Sequence, residues 1–325
     1  MRNNRPASTP RITQRPAATR IGRATRPAPH RHAVSSALAD WLEQPRFEVL
    51  PTPGAPAAVA DHLPPGRLLT VTASPTRGLE ATLDVAVELA GLGFEVVPHL
   101  AARMVGDGGH LAEIVDRLQG AGVTRVFVPS GDAAEAGAYA DAVALLEALD
   151  AMGSPFASVG ITAYPESHPT IPDDLTVQAM WDKRRYATEM VSNLAFDPQV
   201  VETWLTRVRT RGITLPLWLG IPGQVDTTKL LAVATRIGVG DSARFLLKQP
   251  RTVVRLMSPR GFDPERFLRR LAPTLARDES VVAGLHVFTF NQFAATEAWR
   301  ARLLAQLREG GVHPRSSPAG PATTS

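Results

Sequence analysis

The apolar run "FASVGIT" (156–162) leads into Tyr164, Pro165, Glu166, Ser167, His168 and Pro169. Two prolines bracket a carboxyl, a hydroxyl and an imidazole. Proline fixes its own φ, so side chains on such a turn need little further ordering when they meet a ligand. A second carboxyl, Glu48, lies inside the apolar run "RFEVLP" (46–51). An ionised acid is costly to bury, and burial raises a carboxyl pKa towards neutrality, where it can serve as a general acid. An edge position facing water is the other reading of Glu48. His99 follows Pro98 at the end of a further run, as a ligand contact or as a structural histidine. Asp132 in "SGDAAEAG" is either a fixed anion or a helix cap. His168 either meets a ligand or locks its turn. Together these groups suit a small-molecule site, without naming a reaction. A metal site is not expected: the chain has no cysteine, and His99, His168 and His286 come from scattered segments with no close pair.

Placing these residues together requires a regular scaffold, and the sequence contains one. Eight short runs rich in Val, Ile, Leu and Phe fall at 46–51, 67–73, 94–100, 124–130, 156–162, 188–196, 215–221 and 284–290. Ala/Leu-rich segments of helical period separate the middle runs. One of them, "GLEATLDVAVELAGLG", ends at glycine, a common helix stop. Strand runs that are apolar throughout indicate burial on both faces of a parallel sheet. Regular alternation over some 250 residues points to a single-domain α/β fold, a (β/α)8 TIM barrel. The competing doubly wound sheet would want a Gly-rich turn after its first strand, and no G-x-G-x-x-G follows any run. The stretch 222–283 is long for one crossover and is expected to hold two or three helices. Barrel sites form at the C-terminal ends of the strands. There the runs deliver Glu48, Thr72, His99, Ser130, Gly131, Asp132, Tyr164, His168, Asn193, Gln224 and Asn291.

The pI near 9.9 suggests nucleic acid until the charge is located. Residues 1–36 hold eight arginines and no acid; without them the formal net charge of +4 becomes −4. The basicity therefore belongs to a Pro/Ser/Thr/Ala-rich segment that cannot bury enough apolar surface to fold alone. We expect a disordered tail over 1–36, a barrel over 40–308 and a flexible C-terminal tail over 309–325. A nucleic-acid arm would leave the polar groups at the strand ends unexplained. No apolar run reaches the roughly 18 residues a membrane helix needs, so no membrane partner is expected and the location is read as cytoplasmic.

Taken in order, the motifs resemble those of the methylenetetrahydrofolate reductases from about residue 46 to 305. That family's first strand reads Phe-Glu-Phe-Phe-Pro, and "FEVLP" (47–51) is similar. Its third ends in His-Leu, as does "PHL" (98–100), and its fourth carries Leu-Arg-Gly-Asp, matched in part by "PSGD" (129–132). Its Ala-Tyr-Pro-Glu-x-His-Pro is met throughout by "AYPESHP" (163–169), the specific motif of the set. Thr-Gln-x-x-Phe-Asp resembles "SNLAFD" (192–197), Pro-Gly-Ile resembles "LGIPG" (219–223), and His-Phe-Tyr-Thr-Leu-Asn resembles "HVFTFN" (286–291).

The resemblance implies reduction of 5,10-methylenetetrahydrofolate to 5-methyltetrahydrofolate. Glu48 takes the place of the acid that protonates N10, and Asp132 that of the anion beside the resulting 5-iminium cation. Asn193, in place of the family's glutamine, Phe196 and Gln224 would bind the folate. Thr72, His99, Ser130, Gly131, Tyr164, His168 and Lys183 would face the hydride carrier. In the family that carrier is FAD reduced by NADH or NADPH. This chain departs from the family on the flavin side. Ser130 replaces the arginine that meets the flavin phosphates, and Trp181 and Asp182 replace a basic pair. An arginine lost from a pyrophosphate removes a charge-assisted contact. The expectation is therefore that NADH or NADPH gives its hydride directly to the iminium, with flavin as the alternative carrier. A catalytically silent folate-binding barrel, acting as a sensor or partner-binding protein, is the competing function. Retention of both Glu48 and Asp132 speaks against it, because binding alone needs no N10 acid.

Overall fold

The computed structural model describes residues 31–168, 170–224 and 262–310. Eight parallel strands form one sheet: β1 (Arg46–Val49), β2 (Leu68–Val71), β3 (Glu95–Pro98), β4 (Arg125–Phe127), β5 (Ser158–Ala163), β6 (Glu189–Ser192), β7 (Leu217–Pro222) and β8 (Val282–Phe288). The order β3-β2-β1-β8-β7-β6-β5-β4 is that of a barrel opened between β3 and β4. A parallel bridge between His99 and Phe127, with the Leu100 N–H donating to the Phe127 carbonyl at 2.8 Å, nearly closes that seam. The fold is a (β/α)8 barrel, as the alternation predicts.

The helices are α1 (Arg31–Glu43), α2 (Ala55–His62), α3 (Gly78–Gly91), α4 (Gly108–Gly120), α5 (Ala142–Ala151), α6 (Asp173–Lys183), α7 (Pro198–Thr210), α8 (Pro264–Leu275) and α9 (Phe293–Gly310). Aspartates cap several of them. Asp107, Asp141, Asp197 and Asp263 accept backbone N–H bonds from the first turns of α4, α5, α7 and α8, and proline opens α7 and α8. Helix α1 begins inside the segment read as a tail, because Leu38 and Leu42 are core residues that need a helix to carry them inward. A truncation meant to test the arginine-rich segment should therefore stop before Arg31. Of the helices expected between 222 and 283, α8 is described; residues 225–261 lie outside the described residues.

Alternate strand residues point to opposite faces. Phe47, Val49, Leu69, Val71, Met190 and Leu219 join the apolar shell between sheet and helices. Inside the barrel, Val97, Phe127 and Val191 form a small apolar cluster with Leu68 and Trp218 against it. The rest of the interior is unusually polar. Arg46, Glu48, Thr70, Thr72, Glu189 and His286 are all buried. Glycine makes room where bulky groups cross this space. A Cβ on Gly284 would lie 2.7 Å from the Trp218 ring, and one on Gly220 would lie 2.3 Å from the Ser192 carbonyl oxygen and 2.9 Å from the Phe288 ring.

Candidate active site

At the C-terminal end of the barrel a cavity opens to solvent. Every strand but β7 contributes, by its own residues or those just past its end. Glu48 comes from β1, Thr72 follows β2, His99 follows β3, and Phe127 and Pro129 come from β4 and its exit. Thr162 and Tyr164 come from β5, Ser192 and Asn193 from β6, His286 and Phe288 from β8.

Glu48 is the buried acid of this cavity, 2% exposed. Its position is fixed from behind. The Thr289 hydroxyl donates to the Glu48 carbonyl at 2.5 Å. Asn291 accepts from the Leu50 N–H at 2.9 Å and donates to the Leu50 carbonyl and Thr52 hydroxyl at 3.0 Å each. Phe290 and Asn291 hold positive φ angles of 50° and 58°, uncommon for residues other than glycine, and these bonds hold them there. The "TFN" part of "HVFTFN" is thus a clamp on the strand that carries the acid. Beside the carboxyl, His286 Nε2 lies 3.4 Å from Glu48 Oε2.

Beneath the acid, Arg46 is fully buried and donates to Glu189 Oε1 at 2.7 Å. Its guanidinium lies 4.3 Å from the centre of the Trp218 ring, whose Nε1 donates to the other oxygen of Glu189 at 2.9 Å. Burial, with the Arg46 charge, lowers the pKa of His99 to about 3 and that of His286 well below its usual value. Both imidazoles are therefore neutral near pH 7. The unfolded chain takes up these two protons near the ordinary histidine pKa of about 6.5, so it binds more protons than the native state below that pH. Stability contributed by the neutral rings is present above about pH 6.5 and is lost as pH falls towards 3. Denaturant titrations at pH 7, 6 and 5, above the range of most carboxylates, should show this loss, and His99→Gln should flatten it. An unchanged slope in that variant would refute the assignment.

The "AYPESHP" motif supplies a turn rather than a row of reacting groups. Glu166 Oε1 accepts from the Phe196 and Asp197 N–H groups at 2.5 Å each, tying the β5 turn to the loop that follows β6. His168 Nδ1 accepts from the Thr170 and Ile171 N–H groups at 3.2 and 3.1 Å, ahead of α6. Its ring meets the edge of Tyr164 at 4.9 Å. Ser167 takes a φ of 68°. The carboxyl and imidazole between the prolines hold Tyr164 and the Asn193 loop at the cavity. The Ser192 hydroxyl, which donates to the Asn193 carbonyl at 2.8 Å and accepts from the Gly220 N–H at 2.7 Å, completes that support.

Of the residues singled out from the sequence, the cavity brings together Glu48, Thr72, His99, Tyr164 and Asn193. The others stand apart from its lining. Asp132 is exposed on the β4–α5 loop, three residues past the lining residue Pro129. That loop is held by Arg103, which donates to the carbonyls of Ala133, Ala134 and Ala140. Gly131 takes a φ of 83°, and a Cβ there would meet that of Ala101 at 2.9 Å. The Ser130 hydroxyl accepts from the Ala142 N–H at 3.2 Å, supporting the start of α5. Phe196 packs its ring edge-on against Phe262 at 5.1 Å. Gln224 is exposed and accepts from Arg302 of α9 at 3.3 Å. Lys183 is buried, with Nζ 3.2 Å from the hydroxyl of the lining residue Thr162; burial brings its pKa down to about 8, opposed by the charge of Asp141. Trp181 lines an outer groove under the guanidinium of Arg184, 3.5 Å from its ring centre, and Asp182 accepts from Gln178 at 2.8 Å. The sequence reading did not place Thr162, Ser192, His286 or Phe288 in the cavity. Strand parity would have found them: His286 and Phe288 share the inward face of β8, and Thr162 lies two residues before Tyr164. Among the described residues no three His, Asp or Glu side chains gather as a metal would need, and no helix is long and apolar enough to cross a membrane.

No family model matches the chain. Among solved structures it is similar to a Clostridium thermocellum protein that binds two copies of 5-methyl-5,6,7,8-tetrahydrofolic acid, at 9% identity and a TM-score of 0.54, over 82% of this chain and 99% of that one. It is also similar to 2,3-dimethylmalate lyase of the PEP mutase/isocitrate lyase superfamily, at 12% identity and a TM-score of 0.44, over 88% and 92% of the two chains. A phosphoenolpyruvate phosphomutase from Streptomyces platensis subsp. rosaceus matches at 15% identity and a TM-score of 0.43, over 87% and 88%. At these identities the shared property is the barrel fold.

Proposed function

We propose that this chain reduces 5,10-methylenetetrahydrofolate to 5-methyltetrahydrofolate, taking hydride directly from NADH or NADPH. The observation that carries the reading is Glu48. It is a carboxyl, 2% exposed, on the cavity lining, carried by a strand end whose backbone Thr289 and Asn291 brace, and so it is the acid available to a ligand bound there. In the reaction, Glu48 gives its proton to N10 of the folate. The N10–methylene bond breaks and leaves a 5-iminium cation. The nicotinamide then delivers hydride to the methylene carbon. Substrate, NADH and one proton become product and NAD⁺, and Glu48 regains its proton from solvent. The Asn193 amide suits the pterin edge, and Tyr164 offers a ring and a hydroxyl at the mouth. Asp132 is exposed on the loop beyond Pro129 and outside the lining, so it is given no step at the iminium.

The ordered motif set supports the folate reading, and so does the likeness to a barrel that binds 5-methyltetrahydrofolic acid. Flavin fits less well. Of the positions that would meet its phosphates, Ser130 is neutral and engaged with α5, Trp181 faces an outer groove, and Asp182 is an acid. No step is therefore assigned to flavin. A silent folate-binding barrel would account for the cavity but would have no need of an N10 acid on its lining.

The purified protein is expected to lack the flavin absorbance near roughly 450 nm and to oxidise NADH or NADPH when given methylenetetrahydrofolate. Direct transfer needs both substrates bound together, with the reacting carbons about 3 to 3.5 Å apart, so initial rates should follow a sequential pattern. Tightly bound flavin with parallel double-reciprocal lines would replace this reading with a flavin shuttle. Folate binding without reductant oxidation would favour the silent barrel.

A further inference from the structure

We propose that Arg103 is a positioning residue for the cavity: it clasps the open seam of the barrel and holds His99, Phe127 and Pro129 together as one wall. Arg103 stands outside the lining and needs no contact with a ligand. The bearing of that wall on folate rests on the proposed function; the clasp itself does not.

The seam between β3 and β4 is where the barrel has the least backbone pairing. β3 is paired with β2 over its whole length, Glu95–Pro98, and β4 with β5 over Arg125–Phe127. Among the described residues, β3 and β4 meet through the isolated His99–Phe127 bridge and the Leu100 N–H bond beside it. The two bridging residues both line the cavity, with ring centres 4.6 Å apart. Drift across the seam would therefore move lining groups against each other.

Past the strand ends the chain supplies what the ladder lacks. The Ala102 N–H donates to the Pro129 carbonyl and the Arg103 N–H to the Ser130 carbonyl, both at 3.0 Å. The β4–α5 loop then returns to the same segment. The Gly137 N–H donates to the Arg103 carbonyl at 3.0 Å, and the Ala138 N–H to the Gly106 carbonyl at 2.8 Å. Glycine permits this approach: a Cβ on Gly137 would lie 2.0 Å from the Val105 carbonyl oxygen. Residues 130–141 include five alanines and two glycines, whose side chains have no group to bond with. The Arg103 guanidinium offsets that. Its Nε donates to the Ala133 carbonyl at 2.8 Å and its Nη2 to that of Ala134 at 2.9 Å, on the outgoing limb of the loop. Its Nη1 donates to the Ala140 carbonyl at 3.3 Å, on the returning limb. One planar fork thus ties both limbs to the turn that leaves β3, through bonds strengthened by its charge.

Arg103→Met removes the fork and keeps a long side chain. Arg103→Lys keeps the charge and a donor, but a compact ammonium cannot span both limbs. Hydrogen exchange on the full chain reads the seam directly. In Arg103→Met the amides of Ala102, Gly137 and Ala138 should exchange at least about tenfold faster, the scale of a lost hydrogen bond to a charged group, while those of β1, β7 and β8 keep their protection. A loosened wall must be ordered when ligand binds, so Kd for 5-methyltetrahydrofolate should rise about tenfold. KM for the folate substrate should rise likewise, with kcat within about threefold. Arg103→Lys should fall between the two, and serves alone should the Met variant not fold. Protection lost evenly over all strands would make Arg103 a general stabiliser. Unchanged exchange at the seam would mean that it clasps nothing, and a loosened seam with unchanged folate affinity would mean that the wall does not shape the site. Each of these overturns the proposal. A wild-type chain that binds no folate would instead remove the folate reading, and the exchange measurement would still decide the clasp.

Discussion

Glu48→Gln should lower turnover by a factor of about 10² to 10⁴, the usual worth of a positioned acid. The amide has the size and polarity of the carboxylic acid, so the cavity keeps its shape. It has no proton of useful acidity for N10. Folate affinity should therefore change little, and the loss should appear in kcat and in kcat/KM alike, the pattern of an interaction made in the transition state. Isothermal titration with 5-methyltetrahydrofolate and steady-state rates on the same preparation separate the two effects. Near-normal turnover would take Glu48 out of the mechanism. Weak folate binding with unimpaired kcat would make it a binding group.

The second large effect is on stability. Arg46 is fully buried, and the carboxylate of Glu189 is its charged partner, with Trp218 satisfying the second oxygen of that carboxylate. Removing one member of such a pair leaves an uncompensated charge in the barrel. Glu189→Ala is expected to cost about 3 to 5 kcal/mol in chemical denaturation. Arg46→Met with Glu189→Leu, which removes both charges and keeps apolar volume, should recover much of the loss. A double variant as unstable as Glu189→Ala would mean that packing, rather than the charge pair, dominates there. The pair also bears on the site. Arg46 is the charge that, with burial, holds His99 and His286 neutral. The double variant should retain folding while shifting the titration of both imidazoles upward.

The fold was largely legible because its signal is repetitive. Eight apolar runs and the helical segments between them admit few arrangements, and the ends of the runs mark the ends of the strands to within a few residues. The site was legible where a residue's type conflicts with its surroundings, as for Glu48 in an apolar run or His99 at a strand end. It was less so on loops. Asp132, Gln224 and Phe196 follow their strands closely, yet exposure, Arg302 and Phe262 respectively describe where they stand. The direction of a side chain beyond the last strand residue depends on turn geometry, which type and spacing do not encode. The "AYPESHP" turn shows the same division. Its specificity as a motif is clear in the sequence, but not that Glu166 accepts from the N–H groups of Phe196 and Asp197 or that His168 Nδ1 accepts from those of Thr170 and Ile171. His286 was passed over for the opposite reason: in "GLHVFTF" it reads as one polar residue in a buried strand, and only register brings it to Glu48.

The central claim is that hydride passes from a nicotinamide to the folate methylene carbon at the cavity beside Glu48. Reduced nicotinamide carrying deuterium at the transferred position of C4 tests it directly. With methylenetetrahydrofolate and the purified protein, the account predicts one deuterium in the methyl group of 5-methyltetrahydrofolate, without loss to solvent. It also predicts that Glu48→Gln suppresses this labelled product. Nicotinamide oxidation that leaves the methyl group unlabelled, or no product at all under conditions where the folate binds, would contradict it.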